Sequence, residues 1–147
     1  MVAINMKYQG DMRCLAVHGL SGTTLVTDAP KDNIGKAESF SPTVLVATAL
    51  GTCILTVMGI KAHSIDMDII GSTASVEKEM AAGTRRIGKL AVTVHIPHRL
   101  PERQTQQLEQ AASTCPVHKS MSRQVEMPID FIWGYPLRHP AATGMSR

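Results

Sequence analysis

Cys53, deep in an apolar segment, and Cys115, at the head of Cys115-Pro116-Val117-His118-Lys119, are the side chains of this sequence best suited to covalent chemistry. The thiolate, not the thiol, is the nucleophile, so what each cysteine can do depends on its setting. On a helix, Cys53 shares its face with Val46, Ala49, Leu50, Val57 and Ile60. Such a dry face disfavours the thiolate and lifts the pKa above the free value of about 8.5. Cys53 is also too far into the helix for the terminal partial charge to help, so any cation or donor must come from another element. Cys115 precedes Pro116, where a short helix can start and where unpaired amides favour an anion. His118 and Lys119 lie at i+3 and i+4, on the same side. A lowered pKa at Cys115 suits a sulfur that must leave readily when a disulfide is reduced. The two settings differ in the way a peroxide-reducing thiol pair requires.

Blander readings compete. A lone cysteine in an apolar helix is commonly a small core residue. Cys115-x-x-His118 with Cys14-x-x-x-His18 would make a metal-binding regulator, but that spacing matches no familiar zinc site, so no metal is expected. Cys14 reads as a strand residue, and His63, His95 and His98 as scattered surface or turn positions.

The elements that must position these thiols fit one domain of 147 residues, 44% hydrophobic and 18% charged. With two Phe, two Tyr and one Trp, and a net charge of +3 spread along the chain, nucleic-acid binding is disfavoured. Three cysteines do not make a disulfide scaffold, and the N-terminus has no basic region followed by an apolar core, so a cytoplasmic protein is expected. Positions 40–60 carry no charge, yet Ser41, Thr43, Thr48, Thr52 and Thr56 dilute the apolar run and no aromatic or basic belt frames it. A buried central helix is expected there, not a membrane span.

Extended runs at 2–7, 13–17 and 23–27 are divided by Gln9-Gly10-Asp11 and Gly19-Leu20-Ser21-Gly22, and a polar loop follows over 28–39. Ser41 can cap a helix that Pro42 opens and that runs to about residue 62. Strands are expected at 65–78 and 85–96, then a helix from Pro101 whose Leu108, Ala111, Ala112 and Cys115 aim the last of these inward. A short helix over 116–123, a strand over 128–133 and a loose tail from about 135 to 147 complete an α+β plan with helices against antiparallel sheet. Thr48, Thr52 and Thr56, with Gly51 and Gly59 nearby, form a stripe of small residues suited to pairing this helix with its copy in a symmetric dimer.

Three stretches carry a family resemblance: 21–30 (SGTTLVTDAP), Phe40-Ser41-Pro42-Thr43 through Ala49-Leu50-Gly51-Thr52-Cys53, and Cys115-Pro116-Val117-His118-Lys119. In their order and spacing the chain resembles the OsmC/Ohr family, and its general OsmC-like branch more than the dedicated organic hydroperoxide reductases. The resemblance implies an intertwined homodimer with long central helices packed against antiparallel sheets. It further implies a thiol-dependent peroxidase of oxidative or osmotic stress defence, with Cys53 as peroxidatic nucleophile and Cys115 as resolving cysteine. The substrate would be an organic hydroperoxide, the reductant a dithiol or small thiol, and no cofactor would be needed. One departure stands out. Well-characterised members carry a carboxylate just after the helix-opening proline, paired with an arginine; here the run is Pro42-Thr43-Val44-Leu45, and the preceding loop offers Lys31 and Lys36. His118 and Lys119 are then the expected supporting groups. The rival expectation is a dimer of the same fold that binds a small apolar or electrophilic ligand, or senses redox state, without efficient turnover.

Overall fold

The structure, a computed structural model, describes residues 1–134. The tail expected at 135–147 lies outside the described residues. The chain forms two compact units, residues 1–46 and residues from 47 onward.

The first unit is an antiparallel meander of β1 (Ile4–Gly10), β2 (Arg13–His18) and β3 (Thr24–Asp28). The two turns fall where glycine and polar residues were expected to break the runs. Gly10, Asp11 and Met12 all take positive φ at the first turn, and the ladder shifts register between Tyr8 and Gly10. The β2–β3 register pairs Val17 with Thr24 and Arg13 with Asp28. One turn of 3-10 helix, Lys31–Asn33, follows β3. The long helix α1 (Pro42–Ser64) begins in this unit. Ser41 caps it, its hydroxyl accepting from the Val44 N–H at 3.3 Å.

In the second unit α1 continues, and the sheet is built from β4 (Thr73–Met80), β5 (Ile87–Ile96) and β6 (Ile129–Trp133) in that order. Alternation on β5 buries Leu90, Val92, Val94 and Ile96 on one face. Leu50, Ile54 and Met58, spaced by four, are wholly buried on α1. Gly51 lets the helix approach β4 closely: a Cβ there would stand 3.0 Å from Val76 Cγ2. By length and composition α1 could cross a membrane, but this packed face makes it the core helix of the unit. The helix α2 (Glu102–Ala112) contributes Leu108 and Ala112 to the core, and α3 (Pro116–Ser120) follows at once.

Four expectations are corrected. No strand forms over 65–72: Asp68 Oδ1 accepts from the Ile70 N–H at 2.7 Å, and Asp66 and Gly71 take positive φ, so the apolar alternation there lines a turn. The short helix ends at Ser120, because Met121 returns to extended backbone. β6 joins β5 in parallel, so this sheet is mixed and not purely antiparallel. Nor is α1 buried all round within the chain: Thr52, Thr56 and Ile60 are exposed.

Candidate active site

Two elements of the second unit carry the thiols. Cys53 lies midway along α1, and Cys115 occupies the position just before the first turn of α3. The chain is turned there by two devices. The Cys115 N–H donates to the Ala112 carbonyl at 3.2 Å, closing α2, and Pro116 then opens α3 with its fixed φ. The result brings the Cys115 side chain beside that of Cys53, across 62 positions of sequence. Both cysteines are free thiols.

Their burial is the reverse of what the sequence suggests. Cys53 is half-buried, whereas Cys115 is wholly buried. The apolar face of α1 belongs to Leu50, Ile54 and Met58, which turns Cys53 to the flank of the buried stripe. The expected lowering of the Cys115 pKa is also corrected. Burial pushes this thiol up, and the hydrogen bond with Cys53 and the charge of a Cys53 thiolate push it further. Two backbone amides oppose that rise. The His118 N–H donates to Sγ at 3.4 Å, and the Val117 N–H acts in the same direction. A thiol sulfur is a weak acceptor, and a five-residue helix adds little dipole, so burial wins.

His118 and Lys119 sit beside Cys115, but through their backbones. The His118 amide meets the sulfur and the Lys119 amide bonds the Cys115 carbonyl at 3.1 Å. Thr52 and Thr56 hydroxyls donate to the Thr48 and Thr52 carbonyls, both at 2.8 Å, and so are satisfied within the helix. Among the described residues no His/Cys/Asp/Glu cluster could hold a metal. Cys14 stays in β2, paired with Tyr8 and Thr27.

The first unit holds a second charged constellation that the sequence reading missed. The Arg13 guanidinium meets two carboxylates, Asp28 at 3.4 Å and Glu38 in close contact. Asp28 is wholly buried and accepts from the Glu38 N–H at 2.9 Å and the Lys36 N–H at 3.4 Å. The Glu38 amide, the Lys36 amide and Arg13 together hold its carboxyl below the ordinary range against the opposing effect of burial. The signal was present. A hairpin centred on Leu20-Ser21 must place Arg13 opposite Asp28, so an arginine was available to a carboxylate although the loop supplies none. Gly35 shapes that loop, since a Cβ there would collide with the Ala29 backbone.

Comparison with known proteins bears on this geometry. A family model described as OsmC-like protein matches residues 35–130. No curated protein matches the chain. Among solved structures, a protein from Psychrobacter arcticus 273-4 named for osmotic stress induction and detoxification response is 40% identical, with 89% of this chain and 96% of that one covered and a TM-score of 0.85. An OsmC-like protein from Mycoplasma pneumoniae shares the fold at 15% identity and a TM-score of 0.77, covering 92% of this chain and 98% of its own. So does an organic hydroperoxide resistance protein from Elizabethkingia anophelis, at 14% identity and a TM-score of 0.72, covering 91% and 96%.

Proposed function

Because the chain belongs to the OsmC-like family, we propose that it is a thiol-dependent peroxidase that reduces organic hydroperoxides, with Cys53 as attacking thiolate and Cys115 as resolving thiol. The observation that carries this reading is that the two thiols are neighbours, close enough for one to bear on the ionisation of the other. The name of the Psychrobacter relative and the hydroperoxide-resistance name of the Elizabethkingia protein agree with it. The difference in burial supports these roles. The half-buried sulfur is the one a peroxide can reach, and the wholly buried one keeps its proton until a partner forms beside it.

In the first step the Cys53 thiolate attacks the terminal oxygen of R–O–O–H. The O–O bond breaks, the alkoxide takes a proton and leaves as alcohol, and Cys53 becomes a sulfenic acid. Cys115 sulfur then displaces hydroxide from that sulfenic sulfur. The hydroxide leaves as water with the Cys115 proton, and a disulfide remains. A dithiol supplies two electrons and two protons to reopen it. No cofactor enters the scheme.

The functional unit in this reading is an intertwined homodimer in the cytoplasm. Exposed Thr52, Thr56 and Ile60 on α1, and exposed Ile4, Met6 and Tyr8 on one face of β1, are the surfaces that a second copy would cover. Sedimentation at the mass of one chain would remove that part.

The test of the chemistry is turnover of tert-butyl hydroperoxide with a dithiol. Cys53→Ser is expected to lower the rate on the order of a thousandfold or more. Cys115→Ser should keep the first oxidation but accumulate a sulfenic acid that a dimedone probe traps. No turnover with any reductant would favour the rival reading, a small-ligand binder or redox sensor, for which the missing carboxylate after Pro42 speaks.

A further inference from the structure

Leu108, Ala112 and Cys115 form the wholly buried line of α2 and its exit, at i, i+4 and i+7. Ala112 and Cys115 are small, so Leu108 is the large apolar anchor on that line. Apolar burial is non-directional. It holds a helix against a core without fixing rotation about the helix axis, and that rotation sets where Cys115 points. A second tie supplies the direction. The Trp133 Nε1–H donates to Glu109 Oε1 at 2.9 Å, in a part-buried setting of the second unit. Glu109 follows Leu108, about 100° further round the helix, so the two contacts together leave α2 little freedom to turn. The indole also stands on a fixed base. Trp133 pairs with Ile96, whose side chain is on the buried face of β5. Just beyond it, the Gly134 N–H donates to the Ile96 carbonyl at 2.9 Å, and His95 Nε2 bonds the Gly134 carbonyl at 3.0 Å. At the other end, the Cys115 N–H closes on the Ala112 carbonyl, so a turn of α2 would carry Cys115 with it.

We infer that Trp133 and Glu109 are positioning residues: their bond sets the rotation of α2 and so aims the Cys115 sulfur at Cys53. The inference rests on the two-cysteine peroxidase reading for the reaction that this placement serves. A disulfide forms only over a narrow range of separation and direction. A displacement of about 1 Å at a reacting group costs on the order of a hundredfold in rate. A carboxylate accepting from an indole N–H is a charge-assisted and directional contact, suited to holding such a register. A half-buried indole also needs some partner for its N–H, whatever lies nearby. That role would steady the fold without touching the thiols, and the experiment separates the two.

The first arm needs no peroxide. In a Cys14→Ser background the protein is equilibrated with reduced and oxidised glutathione. Each Cys53–Cys115 disulfide formed turns one oxidised glutathione into two reduced ones, which gives an equilibrium constant. Trp133→Phe keeps a ring and removes the donor, Glu109→Leu removes the acceptor, and Glu109→Gln keeps an Oε1 that can accept. Trp133→Phe and Glu109→Leu are each expected to lower the constant about tenfold, with Glu109→Gln close to native. The double variant should fall no further than either single one. Where Glu109→Leu does not fold, Trp133→Phe against Glu109→Gln decides. A constant unchanged in Trp133→Phe, a Gln variant as low as Trp133→Phe, or no disulfide in the native protein overturns the inference. The second arm follows one equivalent of tert-butyl hydroperoxide. Trp133→Phe should form the dimedone-trapped Cys53 sulfenic acid at the native rate and close the disulfide about tenfold more slowly. If native protein does not react with the hydroperoxide while the glutathione contrast holds, the peroxidase reading falls and the positioning role stands. If native and variant proteins oxidise and close at the same rates, without a glutathione contrast, the positioning role falls and the peroxidase stands.

Discussion

Asp28 in the first unit and Cys115 in the second are built from the same ingredients and ionise in opposite directions. Each is wholly buried, and each accepts from two backbone amides. At Asp28 the amides win. The Glu38 N–H sits 2.9 Å from a carboxylate oxygen, and the Arg13 guanidinium adds an opposite charge. At Cys115 burial wins, because the His118 N–H is 3.4 Å from a sulfur and the neighbour is another thiol. Burial therefore decides nothing by itself; the strength of the acceptor and the sign of the neighbour do. The first arrangement fixes a charge and a loop. The second leaves a protonated thiol.

The largest blow to this contrast would come from hydrating the thiols. Leu108→Ala removes a wholly buried side chain on the α2 face that leads to Cys115. It is expected to cost about 2–5 kcal/mol in denaturant unfolding. It should also bring the Cys115 thiol down toward its ordinary value, followed by thiolate absorbance against pH in a Cys53→Ser, Cys14→Ser background. A Cys115 pKa that stays high in the hydrated variant would show that burial is not its cause.

The next effect concerns Asp28→Asn, which keeps the volume and removes the charge that Arg13 and two amides serve. A carboxyl whose folded pKa is lowered contributes stability above its unfolded pKa and loses it as pH falls through the folded value. The melting temperature of the variant should therefore lie several degrees below the native protein near neutral pH. The gap should begin to narrow as pH falls below about 4, the unfolded carboxyl's range, and should close only once pH has passed through the lower folded value. A gap that is constant across this range would mean that shape, not charge, holds the loop.

The smallest effect sits at the alkaline end. Cys115 is raised above 9.0, so its contribution to stability is complete below that value and is lost as pH rises through the folded pKa. Native protein should lose stability above pH 9.0 more steeply than Cys115→Ala does. Parallel losses in the two proteins would contradict the assigned direction.

Much of this was legible in the residues, and the misses have identifiable causes. The Ser41-Pro42 helix start, the three-stranded meander and the alternation on β5 were readable because caps, turn residues and period-two burial are local signals. The strand expected over 65–72 failed for a local reason that was underweighted: Asp68 captures the Ile70 amide and competes with a ladder. The parallel pairing of β6 was not readable, since nothing within 128–133 specifies which neighbour it meets or in which direction. The Arg13–Asp28 pairing lay between these cases, visible only after the hairpin register had been worked out.

The chain by itself determined most of the helices and strands and the start of the long helix, and which two sulfurs sit next to a proline or within an apolar run, because these depend on backbone preference and side-chain period over a few residues. Only the tertiary structure decided that Cys115 is the buried thiol and Cys53 the half-buried one, and that their side chains become neighbours across 62 positions. Burial and electrostatic surroundings are set by what packs from distant segments, and a linear pattern does not state that packing.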